Sequence, residues 1–70
     1  MLTRAMLTKR SFSLSGHRTS VALEPEFWAA LEAIAAREGL ALSALVTRLD
    51  AERAEGRPLA SALRVFALRG

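Results

Sequence analysis

The chain has 70 residues, with ten Lys and Arg against seven Asp and Glu, a formal net charge of +3 and no cysteine. That length builds one small domain at most. Without cysteine, disulfide staples and thiolate metal sites are excluded, and a single histidine does not make a metal site. Apolar residues reach 51%, more than a monomer of this size hides comfortably, which predicts an obligate homodimer with a core shared between two copies.

The charge is segregated along the chain. Residues 1–18 carry Arg4, Lys9, Arg10 and Arg18 and no acid. Residues 19–56 hold all seven acids against Arg37, Arg48 and Arg53, and residues 57–70 add Arg57, Arg64 and Arg69. A basic N-terminal segment suits a polyanion, although charge alone fits a solubilising tail equally well. No run approaches the roughly 18 apolar residues of a membrane span, and residues 1–7 are too short for the apolar stretch of a signal peptide. A cytoplasmic location is therefore expected. There is no cysteine nucleophile, no second histidine and no Gly-rich phosphate loop, so neither an enzyme nor a cofactor site is expected.

In chain order, residues 1–9 show no pattern and read as a flexible basic arm, with Met6 a second candidate start. Residues 10–15 alternate, Phe12 and Leu14 to one side and Ser11, Ser13 and Ser15 to the other. This is either a short strand broken by Gly16 or an arm that orders on a ligand. Residues 17–23 alternate strictly, with Thr19, Val21 and Leu23 on one face and Arg18, Ser20 and Ala22 on the other. A lone strand leaves its backbone groups unpaired, so its expected partner is the same strand of a second subunit.

Leu23-Glu24-Pro25-Glu26 is a helix start, because proline is tolerated at the first helical position and acids favour the positive end of the helix dipole. Phe27, Leu31, Ile34 and Ala35 recur at helical spacing beside Trp28, and Gly39 ends the run. A second helix is predicted over residues 42–54, with Leu42, Leu45, Val46 and Leu49 as its stripe. Gly56-Arg57-Pro58 breaks it. A third is predicted over residues 59–68, with Leu59, Ala62, Leu63 and Phe66 on one face. No internal repeat stands out.

Residues 18–49, with Arg-x-x-Val-x-Leu, the acid-bounded helix carrying Phe27, Leu31, Ile34 and Ala35, Gly39-Leu40 and Ser43-Ala44-Leu45, resemble a ribbon-helix-helix domain of the MetJ/Arc-like class. The stretches Lys9-Arg10-Ser11, Gly16 to Val21, Glu26-Phe27-Trp28 and Ser61 to Phe66 extend the resemblance over roughly residues 9–68. They are similar to a small stand-alone bacterial subfamily with an extra C-terminal helix.

The resemblance implies a mainly α fold with one short strand per chain, residues 10–70 forming the domain. It implies an intertwined homodimer whose two-stranded antiparallel ribbon enters the major groove of double-stranded DNA, as in a transcriptional regulator. Arg18, Ser20 and Ala22 then match the base-contacting positions. Leu42 and Ser43, at the start of the second helix, hold a phosphate; by their charge, Lys9, Arg10 and His17 are further expected phosphate contacts. The dimer core comprises Val21, Leu23, Phe27, Trp28, Leu31, Ile34, Leu45, Val46 and Leu49. The alternative from the same family is an antitoxin or other protein-interaction module that engages a partner through residues 59–68.

Overall fold

The computed structural model describes residues 6–70. It contains five elements: β1 (Thr8–Leu14), β2 (His17–Leu23), α1 (Pro25–Arg37), α2 (Leu42–Glu52) and α3 (Leu59–Arg69). Residues 1–5, including Arg4, lie outside the described residues.

The strands form a two-stranded antiparallel sheet in register Thr8↔Leu23 through Leu14↔His17. Ser15 and Gly16 make the turn with φ of 52° and 81°. Two successive left-handed residues are what a two-residue hairpin needs to match the strand twist, and glycine reaches that conformation without steric cost. The expectation of a single strand per chain is thereby corrected for β2. Its partner is β1 of the same chain, so each chain carries two strands rather than one. Residues 10–14 are strand rather than arm, with Ser15 in the turn, and β1 begins early enough to take in Thr8 and Lys9.

One face of this sheet is apolar and packs on the helices. Phe12, Leu14, Val21 and Leu23 are buried there with Trp28, Leu31, Ile34 and Ala35 of α1, Leu45, Val46 and Leu49 of α2, and Leu63 of α3. Burying a side chain of this kind fully contributes about 1.5–3 kcal/mol. The residues expected to form a core between subunits are, all but Phe27, buried within the single chain, and Phe27 is half-buried against them. The local reason is that β1 adds Phe12 and Leu14 to the apolar face of β2, which closes the core without a second copy.

Trp28 anchors the sheet to α1. Its indole Nε1 donates to the Thr8 carbonyl at 2.7 Å, and its ring centroid lies 5.8 Å from that of Phe12. α1 ends as Gly39 predicts. The Gly39 N–H bonds to Ala36 O and the Leu40 N–H reaches back to Ala35 O at 2.8 Å, the paired bonds of a Schellman stop. α2 stops at Glu52, two residues short of the predicted end. The third helix is integral to the domain. Leu63 is fully buried, Arg64 donates to Glu24 at 3.1 Å beneath the ring of Phe27, and Arg37 donates to the Gly70 carbonyl at 2.6 Å.

Trp28→Phe keeps most of the ring volume and removes the bond to Thr8. A denaturant titration should show a loss of about 0.5–1.5 kcal/mol, the net contribution of one hydrogen bond whose acceptor water can reach. Glu24 offers a pH test. Its own backbone N–H, then the Arg64 guanidinium, hold the carboxyl below its ordinary value of 4.5. A carboxylate with a lowered folded pKa contributes stability that is present above its unfolded value and lost as pH falls through the folded one. Thermal midpoints should therefore decline below about pH 4.5, and less steeply in Glu24→Gln.

Candidate nucleic-acid interface

Strand alternation leaves the second face of the sheet to side chains that the core does not use. The register places Lys9 opposite Ala22, Ser11 opposite Ser20 and Ser13 opposite Arg18. All are exposed except Ala22, which is half-buried. The central pair is joined, the Ser11 and Ser20 hydroxyls lying 3.1 Å apart. The outer face is thus a row of three hydroxyls and one methyl with a cation at each of two diagonal corners. The ion pairs among the described residues are Arg10–Glu32, Arg48–Glu38, Arg53–Asp50 and Arg64–Glu24. Neither Lys9 nor Arg18 takes part in one, so both charges stand uncompensated on the sheet.

The structure groups the sequence-assigned residues differently from their assignment. Arg18, Ser20 and Ala22 share the outer face, as alternation requires. Lys9 joins them. Arg10 does not: it lies on the core side, with its guanidinium 2.6 Å from Glu32 and 5.1 Å from the centroid of the Trp28 ring. Those contacts make Arg10 a clamp between β1 and α1. His17 pairs with Leu14 and lines a shallow hollow with Thr19, Asp50 and Leu59, so its side chain is also on the core side. At the start of α2, Ala41 serves as the N-cap without a side-chain bond. The Ala44 and Leu45 N–H groups return to Ala41 O. The N–H groups of Leu42 and Ser43 are the first-turn donors that a helix cannot satisfy internally.

A family model described as "Ribbon-helix-helix domain" matches residues 7–70. The chain belongs to the ribbon-helix-helix family. Among curated proteins, none matches it. Among solved structures it is similar to an uncharacterized protein from Bordetella pertussis Tohama I, at 45% identity and a TM-score of 0.82. The likeness covers 90% of this chain and 54% of that one, so the chain spans about half the length of that protein. The family is one of DNA-binding regulators and antitoxins, and the ribbon, two helices and the additional third helix are all present. Among the described residues, no helix is long and apolar enough to cross a membrane.

What the sequence reading missed in this ribbon-helix-helix domain is the contribution of β1 to the outer face. The signal is an offset of nine residues. Lys9-Arg10-Ser11-Phe12-Ser13-Leu14 aligns with Arg18-Thr19-Ser20-Val21-Ala22-Leu23. Cation matches cation, serine matches serine, and the apolar positions coincide at Phe12 and Val21 and at Leu14 and Leu23. The two strands are quasi-repeats, and the absence of repeats expected from the sequence is corrected accordingly.

The two faces separate in stability measurements. Arg10→Ala removes a partly exposed ion pair and a cation–π contact and should cost on the order of 1 kcal/mol. Arg18→Ala should leave the denaturation midpoint within experimental error. Equal losses in both would contradict the facing described.

Proposed function

We propose that the protein is a sequence-specific DNA-binding transcriptional regulator that lays its β1–β2 ribbon in the major groove. The observation that carries this reading is the uncovered face of a two-stranded ribbon bearing two unpaired cations and three hydroxyls, with no acid among its six side chains. Each side chain type has a partner there. Arginine grips the O6 and N7 of guanine through two hydrogen bonds, serine bonds to several base edges, and alanine packs on the methyl of thymine.

Size supports one ribbon per groove. Strands lie about 4.8 Å apart, so a pair and its side chains fit a groove about 12 Å wide. Four strands paired edge to edge would span about 14 Å between the outer ones before any side chain is added. We therefore assign to each chain its own ribbon and to a homodimer two half-sites. The free N–H groups of Leu42 and Ser43 are suited to a flanking phosphate, because a helix start couples unsatisfied donors to a partial positive charge. A bound phosphate there also supplies the cap that Ala41 lacks.

The antitoxin reading places a partner on residues 59–68. α3 argues for the regulator instead: Leu63 is locked in the core, Arg64 is tied to Glu24 at the cap of α1, and the Gly70 carbonyl is tied to Arg37 of α1. A segment already folded onto its own domain is not a free tail that wraps another protein.

Selection from a random DNA pool tests the proposal. A two-fold symmetric site should emerge. Binding should fall steeply with salt, with a log–log slope near −4 to −7 if about 4–8 phosphates are neutralised. Arg18→Ala should weaken binding to the selected site by about 1–3 kcal/mol per lost base contact while preserving the fold. A pool with no enriched sequence, or an Arg18→Ala protein with unchanged preference, would refute it.

A further inference from the structure

The register and the nine-residue offset have a joint consequence. A two-fold axis perpendicular to the sheet and passing between Ser11 and Ser20 carries Ser11 onto Ser20, Lys9 onto Arg18 and Ser13 onto Ala22. It also carries Phe12 onto Val21 and Leu14 onto Leu23 on the core side. The chain thus contains, within itself, the two-fold arrangement that two identical strands from two subunits would otherwise provide. The hydroxyl contact at 3.1 Å marks the axis. Four residue steps of about 3.3 Å separate the levels of Lys9 and Arg18, so the cations stand about 13 Å apart along the ribbon.

We infer that β1 is the second half of the base-reading surface, with Lys9 the counterpart of Arg18, Ser11 of Ser20 and Ser13 of Ala22. This rests on the DNA-binding reading above and changes the role of Lys9 within it. Placed on the outer face, unpaired and symmetric with Arg18, Lys9 reads a base instead of merely adding charge. Lysine and arginine both donate to guanine O6 and N7, and the lysine does so as a single point charge. Each half-site recognised by one chain then carries approximate internal two-fold symmetry. The symmetry is broken where lysine faces arginine and where the Ser13 hydroxyl corresponds to the Ala22 methyl.

The test uses three full-length proteins and selection from a random pool, with the fold of each verified by circular dichroism. The wild type should enrich a half-site that is an imperfect inverted repeat. Lys9→Ala should lose base preference at one position, on the side of the half-site away from the Arg18 contact, and bind the wild-type site about 5- to 150-fold more weakly per half-site. The pair Lys9→Arg with Ala22→Ser makes the outer face chemically two-fold, because both strands then read Arg-x-Ser-x-Ser. Its selected half-site should become a perfect inverted repeat.

A symmetrised protein that still selects the asymmetric wild-type half-site overturns the inference. So does a Lys9→Ala protein that weakens on all sequences alike with a shallower salt slope, the signature of a phosphate contact. Both results leave the DNA-binding reading standing. An unselective wild type removes that reading and the inference together.

Discussion

The contact on which the architecture turns is the one between Trp28 and the beginning of β1. A buried indole brings a large apolar surface together with an N–H that needs an acceptor. Thr8 supplies the acceptor, Phe12 covers the ring, and the Arg10 guanidinium stacks on it while reaching Glu32 on the same helix. Three residues of one strand are therefore committed to α1. That commitment holds β1 alongside β2, which completes the apolar face and lets the core close inside one chain. It also decides which face of the sheet is left over. Once Arg10, Phe12 and Leu14 turn inward, alternation forces Lys9, Ser11 and Ser13 outward.

Most of the elements were legible because their signals are local. Strict alternation set β2 at His17–Leu23, Glu24-Pro25-Glu26 opened α1, and Gly39 closed it. The pairing of β2 was not legible from periodicity, since which strand meets which is a property of distant contacts. The clue lay in Ser15-Gly16, a two-residue link between two alternating runs, which reads as a hairpin turn when both positions tolerate left-handed backbone. Charge alone suggests phosphate contacts at Arg10 and His17. Their parity places both on the core side: Arg10 counts with Phe12 and Leu14, and His17 with Thr19 and Val21. In a strand, the position decides the face before the side chain's chemistry is considered. The outward positions Arg18, Ser20 and Ala22 followed from that rule, and applying it to residues 8–14 yields Lys9, Ser11 and Ser13.

The cations divide according to the same geometry. Arg10, Arg48, Arg53 and Arg64 are each matched to an acid carried by a helix or its cap. These pairs are partly exposed and individually contribute little, but they neutralise the helical body. The positive charge left on the sheet is that of Lys9 and Arg18. Of the basic N-terminal segment, Lys9 and Arg18 thus form a bare cationic face, while Arg10 is matched to Glu32 on the helical scaffold. A net charge of +3 understates how one-sided that distribution is.

Placing both strands in one chain alters what dimerisation has to accomplish. Where each subunit contributes a single strand, the reading surface and the core exist only in the assembled pair, so folding, association and recognition are one event. Here Leu23, Leu31, Leu45 and Leu63 are fully buried without a second copy, and the ribbon is complete in the monomer. Under the proposed function, association no longer has to build the fold. It sets the distance and relative orientation of two ribbons that are already formed, and therefore the spacing of the half-sites. Specificity then divides into two parts that mutations can separate: the outer face of β1 and β2 determines the bases read within a half-site, and the contact between chains determines how far apart the half-sites lie.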